Sequence, residues 1–238
     1  MIRPVAAALI ALSVLLVSGL RELTRADDGI RLTYMVGDRQ FTAPVPAGFC
    51  AAADHDRTAP SIRRLLDRTA TGGLIVDLLA LPCDRLDDAD RTAPNGTPLH
   101  VIVVGRLARD GRAVTTDKTG RAVFDALVGG LRYTQLVLGP ETAARELARL
   151  IQQGGDGYRI DTARPLFDGN GLAATIAGQV VNWPARPVFR AGTFAAPIDG
   201  YFRTVGIVDI GAEDDTGAGT APEGAAAIRL FNSILESR

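Results

Sequence analysis

The sequence predicts an α+β fold, a mostly antiparallel sheet with packed helices that include one at the C-terminus. Three observations carry that expectation. Short β-type runs are punctuated by tight-turn signals such as Gly37-Asp38, Asp110-Gly111 and Asp199-Gly200, so hairpins outnumber the crossovers a parallel sheet needs. Helical periodicity is confined to a few segments, early, midway and last. The last of these sets Ala227, Leu230, Phe231, Ile234 and Leu235 on one stripe, which requires a surface to bury it.

The elements follow in order. Residues 30–36 and 40–44 flank Gly37-Asp38 and read as a hairpin, and Pro46 to Phe49 then breaks the pattern before Cys50. Thr58-Ala59-Pro60 opens a helix with Ile62, Leu65, Leu66 and Ala70 on one face, and Gly72-Gly73 ends it. Residues 74–81 form an aliphatic run too short for a helix and suited to a central strand. An acidic, turn-rich stretch over 84–98 leads to a second buried strand at 99–107, and Asp110-Gly111 turns it into 113–115.

Two helices come next. The first spans 119–128 and is expected to stop at Gly129-Gly130; the second starts at Pro140 and places Ala143, Leu147, Leu150 and Ile151 on one face, with Glu141 and Arg145 spaced for an ion pair. Asp168-Gly169-Asn170-Gly171 precedes a strand at 172–177, and Pro197-Ile198-Asp199-Gly200 joins strands at 189–196 and 201–210. A polar loop at 211–221 leads to the last helix, where Thr220 and Glu223 suit a capping box. Residues 27–238 are expected to make a single α+β domain, with two subdomains split near 154 as the alternative.

Arg3 and an apolar run over 5–17 fit an export signal, with Val17-Ser18-Gly19 as the cleavage region and Leu20 as the mature start. Residues 1–19 are therefore read as a signal peptide. The rival is an inner-membrane anchor over residues 4–20, although the run extended to Leu20 has a length of 16 residues, short of the roughly 20 that span a bilayer. The implied location is periplasmic or secreted. Cys50 and Cys83 suit a disulfide in that setting, closing a loop of about 34 residues; C-x-x-C spacing for redox catalysis is absent.

The net charge is −1, and 25 of the 26 cations are Arg, scattered among matching acids, so no basic face for nucleic acid is expected. No nucleotide-binding glycine spacing occurs. Outside the signal the serines are Ser61, Ser233 and Ser237, none in a nucleophile elbow. His55 sits in a loop between Asp54 and Asp56; His100 opens an aliphatic strand, where a hydrogen-bonded strand-end role is expected. Neither these nor the acids at 84–90 and 213–215 build a zinc or calcium site, so no metal, cofactor or catalytic set is assigned.

Asp77 interrupts an aliphatic run and must be paired or neutralised there. An Asp on an edge strand or paired with an Arg fits this position, and so does a catalytic or ligand-binding acid. Asp209 poses the same question near a strand end. Trp183 with Arg186 and Arg190 offers a candidate contact for an anion or a partner chain.

The early hairpin, the Pro-x-Gly-aromatic step at Pro46 to Phe49, the following helix, the antiparallel sheet and the C-terminal helix together resemble the PsbP-like α+β sandwich family. That resemblance implies an exported accessory or assembly protein and brings no catalytic motif. The expected function is thus a non-catalytic binding or accessory module of the cell envelope whose partner is another envelope protein. Touching a membrane is expected only through an uncleaved N-terminal segment. The alternatives are a periplasmic enzyme using carboxylates such as Asp77 and a small-ligand carrier.

Overall fold

The structure is a computed structural model that describes residues 30–36, 38–52, 74–86, 99–109, 111–152, 158–169, 171–181, 188–211 and 224–236. The N-terminal segment, the helix expected before Gly72, most of the acidic 84–98 stretch, the loop after 211 and its capping box lie outside the described residues. Strands β1 (Ile30–Val36) and β2 (Arg39–Val45) pair antiparallel as a separate two-stranded hairpin. The main sheet holds β3 (Phe49–Ala51), β4 (Leu74–Pro82), β5 (Leu99–Arg109), the short β6 (Arg112–Ala113), β7 (Tyr158–Asp168), β8 (Gly171–Val180), β9 (Val188–Ile198) and β10 (Tyr201–Gly211). Its order is β3-β4-β5-β10-β9-β8-β7, with β6 folded back on β5, and every pairing is antiparallel. The α+β class is therefore the observed one.

Helices α1 (Lys118–Leu138) and α2 (Pro140–Gln152) cover one face of the sheet. Leu79, Leu81, Val101, Val103 and Phe202 of the strands meet Phe124, Leu127, Leu131, Leu147 and Ile151 there. The hairpin and α3 (Gly224–Glu236) cover the other face, where Phe41, Val45, Leu230, Phe231 and Ile234 pack on Leu78, Ile102, Val104, Phe194, Val205 and Ile207. With both faces covered, β4, β5 and β10 read as continuous aliphatic runs instead of alternating ones.

Local chemistry explains the joints. Asp199 and Gly200 both take positive φ, 50° and 79°, the pairing a two-residue hairpin turn needs. Asp117 caps α1 by accepting from the Gly120 amide at 2.8 Å. The amide of Gly224 at the start of α3 donates to the Thr175 hydroxyl of β8 at 2.9 Å, so the sheet caps that helix. At the β7 edge, the Gln152 side chain accepts from the Ile160 amide and donates to the Tyr158 carbonyl, both at 2.9 Å, occupying groups that another strand would use.

Several expectations need correction. The first mid-chain helix does not stop at Gly129-Gly130 but continues to Leu138, where Gly139 (φ +89°) turns the chain into α2. Glycine lowers helix propensity without forbidding the conformation, and burying Phe124, Leu127, Val128 and Leu131 along one side carries the helix through. On α2 the expected Glu141–Arg145 pair is not made: Arg145 donates to the Thr142 hydroxyl, and the ion pair joins Arg149 to Glu146. The strand expected to be central, β4, is flanked by β3 only along Ala80–Pro82, so its first half runs along the sheet edge among the described residues.

Candidate functional site

The Asp77 site begins with a β-bulge. Val76 of β4 lies opposite Gly105 and Leu78 opposite Val104, so Asp77 is the extra residue. The bulge resets the alternation: Leu74 and Val76 precede it on the α1–α2 face, whereas Leu79 and Leu81 occupy that face after it. Gly105 makes room, because a Cβ there would sit 2.4 Å from the Ile75 carbonyl oxygen.

Asp77 meets Arg106, which projects from β5 next to the bulge. The Arg106 Nε donates to Oδ1 and Oδ2 of Asp77 at 3.1 and 3.0 Å, and Nη2 donates to Oδ1 at 2.7 Å. The two side chains are only 5% (Asp77) and 16% (Arg106) exposed. The Arg106 guanidinium also lies 5.3 Å from the centre of the Tyr201 ring. Burial pushes the Asp77 carboxyl up from its ordinary range, while hydrogen bonds from Arg106, its charge and that of Arg203 pull it back.

A second pair lies beside the first. Arg203 of β10 is the cross-strand neighbour of Arg106, and its guanidinium sits 3.9 Å from the centre of the Phe41 ring in the hairpin. Asp199 lies 3.7 Å from Arg203 through Oδ2 and 3.7 Å from Arg39 of the hairpin through Oδ1. From the sheet edge to the hairpin the row runs Asp77, Arg106, Arg203, Asp199 and Arg39, two adjacent arginines with an acid beside each. The Asp77 carboxylate is thus held by three hydrogen bonds from one guanidinium. Arg106 and Arg203 were missed in the sequence, yet each interrupts an aliphatic strand as visibly as Asp77 does.

At the opposite end of the same strands, Asp209 stands in register with His100 of β5 on one side and Arg190 of β9 on the other. His100 makes an edge-on contact with the Phe49 ring, centroids 6.2 Å apart, in place of the hydrogen bond expected for it. Burial pushes the His100 imidazole down to about 4, which keeps it neutral at pH 7. Of the Trp183, Arg186 and Arg190 patch only Arg190 is among the described residues, and it is half-buried in β9. His55 lies outside them too.

The disulfide expected between Cys50 and Cys83 is present and ties β3 to the turn after β4. Among the described residues no three His, Cys, Asp or Glu side chains gather closely enough to hold a metal ion. No helix among them is long and apolar enough to cross a membrane.

No protein-family model matches the chain, and no curated protein does. Among solved structures it is similar to LpqN of Mycobacterium tuberculosis, described as involved in cell envelope biogenesis. The likeness covers 92% of this chain and 95% of that one at 14% identity, with a TM-score of 0.34. So loose an overlap assigns no family and transfers no role.

Proposed function

We propose that the protein is an exported module of the cell envelope that acts by binding, as an accessory or assembly factor without catalytic chemistry of its own. The observation that carries this reading is the pairing of Asp77. The acid on which an enzymatic alternative depended faces Arg106 across the sheet, and the neighbouring Arg203 has Asp199 beside it. Buried ion pairs of this kind serve packing and register, not proton transfer. The Cys50–Cys83 bridge supports export, because such bonds persist in oxidising compartments. The resemblance to the PsbP-like family points the same way, with the periplasm as the compartment and another envelope protein as the partner.

Fractionation with N-terminal sequencing tests the export claim. The expected species is released from the periplasm, starts near Leu20 and takes up no alkyl group at either cysteine before reduction. A membrane-held species retaining Met1 establishes the N-terminal anchor instead, and a cytoplasmic one with both thiols reactive defeats the reading. Asp77→Asn tests the non-catalytic claim: a folded variant should support the envelope as well as the wild type does. A folded variant that fails there would return Asp77 to an enzymatic role.

A further inference from the structure

Four of the seven large hydrophobic side chains left exposed among the described residues lie within one short stretch of α1. Tyr133, Leu136, Val137 and Leu138 are 64, 85, 56 and 60% exposed. At 100° per residue, Tyr133, Leu136 and Val137 share the outward side of the helix with Gly129 and Gly130, and one and two turns further back with Ala126 and Ala122, all of them exposed. The outward side therefore has a large apolar half and a small, smooth half.

The two glycines lack a reason within one copy of the chain. Gly105, Gly120, Gly171, Gly178 and Gly224 each have an atom within 3.2 Å of where a Cβ would stand, so close packing explains them. Around Gly129 and Gly130 there is nothing within 4 Å. They weaken the centre of a 21-residue helix by about 1 kcal/mol each and return no intramolecular contact. Close approach of another helix would account for them.

We propose that α1 is a self-association surface, on which a second copy of this chain packs its own α1 antiparallel about a two-fold axis between Gly129 and Gly130. That axis brings Ala126 of each copy to Tyr133 of the other and Ala122 to Val137, so the small half of the stripe receives the large half. The same axis carries Lys118 of each copy to the corner that bears Glu141 of the other, two opposite-charge pairings with both residues exposed. Arg121 and Asp125, on the flank, lie 3.8 Å apart within the helix and bring no unpaired charge. Aromatic side chains offer roughly 150–250 Å² each and aliphatic ones somewhat less, so the exposures of Tyr133, Leu136 and Val137 with the Ala–Gly shelf give roughly 450 Å² per copy; the total, on the order of 900 Å², is the size of a weak, transient interface. The inference stands independently of the proposed function.

Sedimentation equilibrium of the purified chain, in the N-terminal form the cell leaves it, measures this directly. Interfaces of such size hold at micromolar affinity, so concentrations up to roughly 200 µM should raise the mass from that of one chain toward twice that value. Leu136→Glu should weaken the dimer at least tenfold. Lys118→Glu should weaken it, and adding Glu141→Lys should restore it. Gly130→Cys in the otherwise unchanged chain should cross-link to itself under mild oxidation, which gives a readout that does not depend on the folding of Leu136→Glu. A chain monomeric throughout overturns the proposal, as does a dimer indifferent to Leu136→Glu, unrestored by the charge exchange or lacking the Gly130→Cys cross-link.

Discussion

Truncating Asp77 to alanine leaves the Arg106 guanidinium, 16% exposed, without its counter-charge and with Arg203, 5% exposed, as its cross-strand neighbour. Breaking a buried pair from one side costs about 3–5 kcal/mol, and the partial exposure of Arg106 places the expectation near 3. That is a large share of the 5–15 kcal/mol typical of a folded domain. Removing both charges, as Asp77→Leu with Arg106→Met, should bring stability back to within about 1 kcal/mol of the wild type, because neither charge is then stranded. The coupling from the cycle of wild type, Asp77→Leu, Arg106→Met and the double variant should therefore exceed about 2 kcal/mol. Denaturant unfolding followed by circular dichroism measures these four proteins and Asp77→Ala, with unchanged slopes as the check on two-state behaviour. Additive effects, or a cost below about 1 kcal/mol for Asp77→Ala, would refute the claim that this pair is a buried structural unit.

The pH dependence of the same group has an uncommon sign. Burial raises the Asp77 pKa above its unfolded value, so the group contributes most below the unfolded pKa and that contribution is lost as pH rises through the folded one. Acid should not unfold the chain through Asp77, and Asp77→Asn should flatten this part of the profile. Both results have one cause: desolvating the carboxylate outweighs what Arg106 returns, yet stranding either partner is worse than keeping the pair.

His100 behaves oppositely. Its folded pKa of about 4 lies below the ordinary 6.5, so its contribution is complete above 6.5 and falls away down to about 4, by roughly 1–2 kcal/mol once its partial exposure is allowed for, and His100→Asn should remove that slope. The comparison should keep Asp209 and Arg190 intact, since both lie in the same row of the sheet. Gly129→Ala and Gly130→Ala should each stabilise the chain by about 1 kcal/mol, or roughly 2–4 °C in Tm, at dilutions where self-association contributes nothing; a loss would show that α1 breaks there. Cys50→Ser with Cys83→Ser should cost roughly 3–4 kcal/mol, and unfolding of the wild type in reducing buffer should match it.

What was legible in the sequence was local. Asp-Gly and neighbouring turn residues mark hairpins because positive φ is a property of two residues, so the β9–β10 turn stands where it was expected. The stripe on α3 was legible because its period is internal to the helix. The full length of α1 was not, since two glycines argue against helix locally and only the sheet beneath Phe124 and Leu131 outweighs them. The partner of Asp77 was not legible either. It lies 29 residues away across a bulge, and neither the bulge nor Gly105 announces itself in a single aliphatic run. Trp183 and Arg186 fall outside the described residues, so that patch remains a matter of sequence alone.

The placement of the buried charges answers a problem set by the topology. Among the described residues the β1–β2 hairpin shares no backbone ladder with the main sheet, so no strand pairing sets its position there. Apolar contacts between Phe41 or Val45 and the sheet favour burial, but they are non-directional and tolerate sliding. Arg203 stacked over Phe41, and Arg39 drawn toward Asp199, supply directions that sliding would disrupt. Arg203 stands next to Arg106 in the sheet, and two adjacent guanidiniums in a dry layer need acids at close range. The bulge at Asp77 provides one and the Asp199-Gly200 turn the other. On this account an acidic side chain stands in an apolar strand at Asp77 because the hairpin beyond it must be held in one register. The part of the molecule free to meet a partner is then not this buried row but the surface that the fold leaves uncovered, of which the outward side of α1 is the largest apolar stretch among the described residues.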